Sequence, residues 1–262
     1  MRYRLDVAYF GKPFQGWQIQ PNTDTVQGDI EKALFSLFKK HIRLIGAGRT
    51  DAGVHARQQV AHFDVEATLD EAKTLHSLNA LTSRCIRMAG CVAVGDDFHA
   101  RFSPHIKTYA YYFDAAVYPD PFTLDTHYHT HGVALDFARM REFLAALVGT
   151  HDFASFCSVQ NSSETTVRTL NEARLVLGED EKFKIELLGK GFLQHMVRII
   201  ASTCFDIGTG KRELAVALAA LGRNDARKLL GATFPAHGLC LESTVYGPGV
   251  VDEMGQGESN FG

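Results

Sequence analysis

The sequence predicts an α/β (α+β) protein built from two halves of related element order. Three observations carry that expectation. Over the first hundred residues the hydrophobic period switches between two and 3.6, in the order strand, helix, strand, strand, helix, strand, which is the ferredoxin-like order. A polar stretch, Asp96 to Pro104, then breaks the pattern, and beyond it strands and helices recur in a nearly matching order. At 262 residues, 45% of them hydrophobic and 22% charged, the chain has the length and apolar content for one large or two ordinary soluble domains. The expected division is an N-terminal α/β half over 1–104, a C-terminal α/β half over 105–247, and a flexible glycine-bearing tail over 248–262. No repeat is visible residue by residue, so the kinship of the halves rests on element order.

Taken in order, Arg2 to Phe10 places Tyr3, Leu5, Val7 and Tyr9 on one face, the period of a half-buried strand. Phe14 to Gln20, FQGWQIQ, is a loop rich in aromatic and amide groups. Asp24 and Gln27 have capping-box spacing, and Val26, Ile30, Ala33, Leu34, Leu37 and Phe38 recur at helical intervals up to Lys39 and Lys40. A second strand is expected over Ile42 to Ala47 and a third over Gln58 to Val65. Thr68 and Glu71 resemble another capping box, opening a helix that runs to about Leu81. Ile86 to Val94 reads as the fourth strand. In the second half, Lys107 to Ala115 and Thr126 to Val133 are expected strands, and Asp136 caps a helix that Gly149 stops. Val167 to Leu177 and Lys182 to Leu188 form a hairpin about the Gly178 to Glu181 turn. Met196 to Ile207 is a helix ended by Gly208 and Gly210. Short helices around Glu213 to Leu221 and Ala226 to Leu230 lead to a last strand, Leu239 to Tyr246.

Composition excludes several classes. No apolar run approaches the roughly 18 residues of a membrane span. The N-terminus alternates charged and apolar residues like a strand, not a signal peptide, so the expected location is cytoplasmic and membrane partners are not expected. Five cysteines, Cys85, Cys91, Cys157, Cys204 and Cys240, are odd in number and show no C-x-x-C, which argues for reduced thiols and against structural zinc. The formal net charge of −3 does not suggest an overall polyanion binder. Arginines and lysines nevertheless cluster near the loops and strand ends described next, which leaves room for a local basic cleft.

The stretch that carries most chemistry is Gly46 to His62, GAGRTDAGVHARQQVAH. Its glycines permit sharp turns and close backbone approach, so the carboxylate of Asp51 is expected on a loop between two strands. An arginine close to a carboxylate favours its ionised form, suited to a nucleophile or base. Tyrosine adds a face for stacking on a planar base, and such a set suits chemistry on a flipped nucleotide. Other readings are weaker. His127, His129 and His131 would share a strand face, yet alternate strand residues stand roughly 7 Å apart, so no metal is expected there. GAGRTDAG lacks both the Walker lysine and the dinucleotide spacing, and no G-x-S-x-G accompanies Asp51 and His55.

GRTDAGVHA at Gly48 to Ala56 resembles the catalytic motif of the tRNA pseudouridine synthase A family. FQGWQIQ at Phe14 to Gln20, DDFHARFSP at Asp96 to Pro104, KTYAYYF at Lys107 to Phe113 and GFLQHMVR at Gly191 to Arg198 are similar to further family segments, in order and spacing. HDFASF at His151 to Phe156, TVRTL at Thr166 to Leu170 and the Gly238–Leu239 pair also fit. The resemblance implies two halves with mostly antiparallel sheets joined around a central catalytic cleft. It implies isomerisation of uridine to pseudouridine in the anticodon stem-loop of tRNA, at positions 38, 39 and 40, without cofactor or metal, by a homodimer. Carried over by position, Asp51 would be the catalytic aspartate, Tyr109 the tyrosine stacked on the target base and Arg198 the partner of the aspartate. Arg49 would assist flipping, and Gln58, His99, Arg101, Lys107, Arg168 and Leu193 would contact RNA or substrate. The chain departs from the family pattern at Ile199 to Ser202, where Asn-Ile-Val-Gly is usual, and at Phe234 before Pro235 and Ala236.

Overall fold

The computed structural model describes residues 1–158 and 163–247; the tail expected to be flexible over 248–262 lies outside the described residues. Its centre is one ten-stranded, mostly antiparallel sheet. In the N-terminal half, β1 (Arg2–Tyr9) is central, flanked by β3 (His55–Asp64) and β4 (Ile86–Val94). Tyr3, Leu5, Val7 and Tyr9 are buried against α1 (Val26–Phe38) and α2 (Glu71–Leu81), as the alternation in β1 predicts. In the C-terminal half, β5 (His105–Asp114), β9 (Lys182–Gly189), β8 (Val167–Leu177) and β7 (Gly149–Asp152) continue the sheet, covered by α3 (Phe137–Ala146) and α4 (Met196–Gly208). The helix α5 (Leu214–Leu218) packs against α3.

The halves are fused by the last strand. β10 (Leu239–Tyr246) runs parallel to β3 and antiparallel to β5, so the sheet order is β4-β1-β3-β10-β5-β9-β8-β7. Leu241 pairs with Ala56 on one side and Tyr109 on the other. At about 4.8 Å per strand this puts the end of the Asp51 loop and the Tyr109 strand roughly 10 Å apart in backbone, a span two side chains can bridge.

Several local expectations are corrected. The second strand shrinks to β2 (Ile45–Gly46) because Leu44 is drawn to α1: its N–H donates to Glu31 Oε1 and its carbonyl accepts from Gln27 Nε2. Gln27 is thus occupied, and α1 is capped by Thr25, whose hydroxyl accepts from the Gly28 N–H. Asp70, not Thr68, caps α2, and Glu71 instead accepts from the Ala93 N–H of β4. The strand expected over Thr126 to Val133 is only β6 (Tyr128–His129), since His131 and Gly132 adopt left-handed backbone. The three histidines consequently do not line one strand face. His129 meets the Ala116 carbonyl, His127 meets the Thr126 hydroxyl, and among the described residues no metal-holding group of His, Cys, Asp or Glu is found. Asp136 does cap α3, accepting from the Ala138 and Arg139 N–H groups. All five cysteines are free thiols.

Candidate active site

The loop from Ala47 to His55 is pegged at almost every residue. The Ala47 carbonyl accepts from Lys107 Nζ (2.9 Å), and the Gly48 carbonyl accepts from Gln59 Nε2 (3.0 Å). The Thr50 hydroxyl meets the Tyr9 hydroxyl at 2.7 Å, and the Thr50 carbonyl accepts from the Trp17 N–H. Asp51 to Val54 is a β-turn closed by the Val54 N–H on the Asp51 carbonyl, with Gly53 at φ +78° in the position that favours glycine. His55 anchors the end: its Nε2–H faces the carbonyls of Asp125 (2.9 Å) and His237 (3.1 Å), so Nδ1 is the acceptor for the Gly11 N–H (3.0 Å). The chain on either side of Phe14 presses closely on this turn: a Cβ on Gly11 would lie 2.0 Å from the Val54 carbonyl oxygen, and one on Gly16 2.7 Å from that of Thr50. Asp51 therefore rides on a backbone fixed from several sides, so its carboxylate is presented to the cleft without a conformational search.

One segment distant in sequence, the start of α4, meets its side chain with two residues. Arg198 Nη1 stands 3.4 Å and His195 Nε2 3.5 Å from the same oxygen, Oδ2, while Oδ1 has no hydrogen-bond partner among the described residues. Arg198 is held by its own Nε, which donates to the Phe234 carbonyl at 2.6 Å. That contact uses backbone, so the departure from the family residue at 234 leaves it intact; the Phe234 ring instead stacks on Tyr128 at 4.3 Å. In the other departure, Ile199 to Ser202, all four residues are buried in α4 and the Ser202 hydroxyl donates to the Ile199 carbonyl.

Tyr109 is 8% exposed and its ring is braced edge-on by Phe192, with centroids 5.1 Å apart. Burial, and secondarily the nearby Tyr9 and Asp51, push the Tyr109 phenol well above its usual range, so it stays protonated.

Asp51 and Tyr109 line a cleft of about 680 Å³ between the halves. Its described wall carries six cations, Arg43, Arg49, Arg101, Lys107, Arg168 and Lys190, against the single carboxylate of Asp51. A cleft lined by one sign of charge focuses the potential for an anionic ligand even though the whole chain is acidic. Arg49 and Arg101 are exposed, whereas Arg168 is half-buried with its guanidinium on the Thr165 and Val167 carbonyls. Lys107 is 8% exposed, and burial, with Arg101 nearby, lowers its ammonium to about 8.

Of the residues the sequence singles out, Asp51, Tyr109, Arg49, Arg101, Lys107, Arg168 and Leu193 share this cleft, with Arg198 behind Asp51. Gln58 and His99 stand outside its wall. The Gln58 carbonyl accepts from the Thr244 hydroxyl. His99 Nδ1 accepts from the Arg101 N–H at 3.1 Å and so shapes the loop that presents Arg101. His195, Arg43 and Gln59 were not singled out. His195 sits inside the quoted GFLQHMVR segment, but its nearness to Asp51 is a purely tertiary fact.

Comparison with known proteins gives a consistent picture. A family model described as tRNA pseudouridine synthase matches residues 7–103 and 144–247. The tRNA pseudouridine synthase A of Bacillus licheniformis is 40% identical over 249 residues, covering 94% of this chain and 99% of that protein. The enzymes of the same name from Listeria monocytogenes and Latilactobacillus sakei are each 40% identical, over 92% and 94% of this chain and 97% and 98% of their own lengths.

Proposed function

The chain belongs to the tRNA pseudouridine synthase family, an isomerase family, and from that premise we propose that it converts uridine to pseudouridine in the anticodon stem-loop of tRNA, at positions 38, 39 and 40, with Asp51 as the reacting carboxylate. One observation supports this most: Asp51 and Tyr109, from separate segments, share a cleft whose wall is otherwise cationic, and Arg198, from a third, reaches Asp51 from outside that wall. The reaction breaks the N1–C1′ bond, turns the base and joins C5 to C1′, while a proton leaves C5 and another arrives at N1. Asp51 Oδ1, without a hydrogen-bond partner among the described residues, either attacks C1′ as in retaining glycosidases or removes a C2′ proton. Arg198 fixes the opposite oxygen. The protonated Tyr109 supplies a stacking face for uracil during its rotation. The cations around the rim offset the few kcal/mol that flipping a nucleotide costs, by contacts to phosphate, with Arg49 nearest Asp51 in the chain. The same reading has the enzyme cytoplasmic, homodimeric and independent of metal or cofactor. Among the described residues no helix is long and apolar enough to cross a membrane.

Incubating the protein with unmodified tRNA and mapping pseudouridine along the strand tests this. Product confined to positions 38 to 40, lost when these are cytidine, is expected. Product elsewhere overturns the positional reading, and none at all overturns the activity.

Lys107 makes a separate prediction. Below about pH 8 its ammonium is charged, bonds the loop at Ala47 and adds to the positive cleft. Activity is expected to fall as pH rises through about 8, an effect missing from Lys107→Met. Stability should move the other way. Between about 8 and the ordinary 10.5 the unfolded chain keeps a proton that the folded chain has released, so this residue's contribution makes folding more favourable as pH rises. Denaturant titrations at pH 7.5 and 9.5, wild type against Lys107→Met, check the sign.

A further inference from the structure

We propose that His195 is the proton carrier of the reaction, its imidazole taking the C5 proton of the rearranged base and delivering a proton to N1. The proposal rests on the reading of Asp51 as the reacting group. His195 occupies the N-cap of α4 in left-handed backbone, φ +65°, and makes no side-chain cap bond. The short polar residues favoured at that position turn a side-chain oxygen onto their own helix; this histidine instead lines the cleft wall beside Asp51. Nε2 stands 3.5 Å from Asp51 Oδ2, the side on which a carboxylate favours the ring proton; in that tautomer Nδ1 keeps its lone pair, and Nδ1 has no hydrogen bond among the described residues.

The other groups of the wall fit the task less well. Tyr109 would have to ionise, which burial and the Asp51 charge oppose. The arginines have no lone pair to offer, and Lys107 is committed to the Ala47 carbonyl. His105 also lines the cleft, but it bonds the Ser103 carbonyl, packs on Tyr246 and has no contact with Asp51 to steady an imidazolium. The charged groups facing His195 are Asp51 from the loop, Arg198 from its own helix and Arg227 from the turn Arg227–Leu229. Burial first, then the two arginines, lower its pKa, against Asp51, so the imidazole is neutral and able to accept at pH 7.

The step balances without another reactant. Once C5 is bonded to C1′ it is tetrahedral and still carries its hydrogen. Nδ1 takes that hydrogen as a proton, the C–H pair becomes the C5=C6 bond, and the C6=N1 pair moves to N1, which is protonated by the imidazolium or by water in exchange with it. By then Asp51 has regained its carboxylate, whose charge favours the imidazolium at the moment it forms, as the aspartate of a catalytic triad does.

The test compares wild type, His195→Asn and Tyr109→Phe on tRNA carrying uridine, C5-deuterated uridine or 5-fluorouridine at the target site. Fluorine cannot leave C5 as a cation, so the last substrate reports every step up to C–C bond formation and none after it. For His195→Asn, turnover on uridine is expected to fall by ~10²-fold or more, with a primary isotope effect at C5 that wild type lacks and with 5-fluorouridine rearranged at the wild-type rate. Added imidazole should restore turnover to His195→Gly, whose left-handed backbone glycine accepts readily. Unchanged turnover, equal losses on uridine and 5-fluorouridine without an isotope effect, or the isotope signature in Tyr109→Phe instead would each overturn the proposal. Failure of wild type to form pseudouridine at all would instead refute the activity, so the two readings fail separately.

Discussion

Asp51→Asn is expected to lower pseudouridine formation by on the order of 10⁴-fold or more, the scale seen when an essential nucleophile or its base is removed, while tRNA binding is kept or tightened. The amide keeps the shape of the carboxylate but neither attacks carbon nor accepts a proton at neutral pH. Binding survives because the six cations of the wall are untouched, and the change deletes the one negative charge among the described wall residues. Folding should barely notice. The Asp51 side chain is about one-third exposed and its contacts to Arg198 and His195 are long, 3.4 and 3.5 Å, so the ion pair contributes ~0–1 kcal/mol at most. The loop itself is held by Lys107, Gln59, Tyr9, Trp17 and Gly11, none of which touches the carboxylate. Filter binding and a denaturant titration alongside the activity assay separate the three effects.

Arg198→Met is expected to cost ~10²- to 10³-fold in single-turnover rate, the range for removing one preorganised electrostatic partner, with tRNA affinity nearly unchanged. Arg198 stands behind Asp51 and does not line the cleft, so its loss acts through the aspartate and not through phosphate contacts. It also leaves the Phe234 carbonyl without its charged donor, and because the guanidinium is only 14% exposed, stability should drop by ~1.5–3 kcal/mol. Arg198→Lys should not rescue the rate: the ammonium is a single point charge, whereas the fork of arginine reaches Phe234 with Nε and Asp51 with Nη1 together. A loss of affinity in proportion to the loss of rate would contradict this division of labour.

What was legible in the sequence follows the range of the interactions involved. β1, β4 and the β8–β9 hairpin lie where alternation and turn residues put them, because a half-buried strand repeats every two residues whatever its neighbours are. β2 and β6 were overestimated, since side chains of α1 and the left-handed pair His131 and Gly132 compete with the ladder locally. The insertion of β10 between β3 and β5 pairs residues nearly two hundred positions apart and leaves no periodic trace. At the site, Asp51, Tyr109 and Arg198 were named together by the resemblance of their motifs to the family's, which carries each over by position. His195 escaped notice because a histidine beside a methionine in an apolar helix start signals nothing until its distance to Asp51 is known. The charge of the cleft was equally hidden: a net −3 averages over the surface, while the described wall collects six cations from four stretches of the chain. On β3 the period of two matters at single-residue scale: the Gln59 side chain is buried on the Gly48 carbonyl of the Asp51 loop, whereas that of its neighbour Gln58 is not.

The central claim is that Asp51, steadied by Arg198 in a cationic cleft, performs the isomerisation of uridine in tRNA. Release of tritium from tRNA labelled at C5 of uridine tests it most directly, because the proton at C5 is lost only when the base has been turned and rejoined. The account predicts steady release by the wild-type protein and none above background from Asp51→Asn at the same occupancy of tRNA. Release by Asp51→Asn at a rate near that of wild type would contradict it.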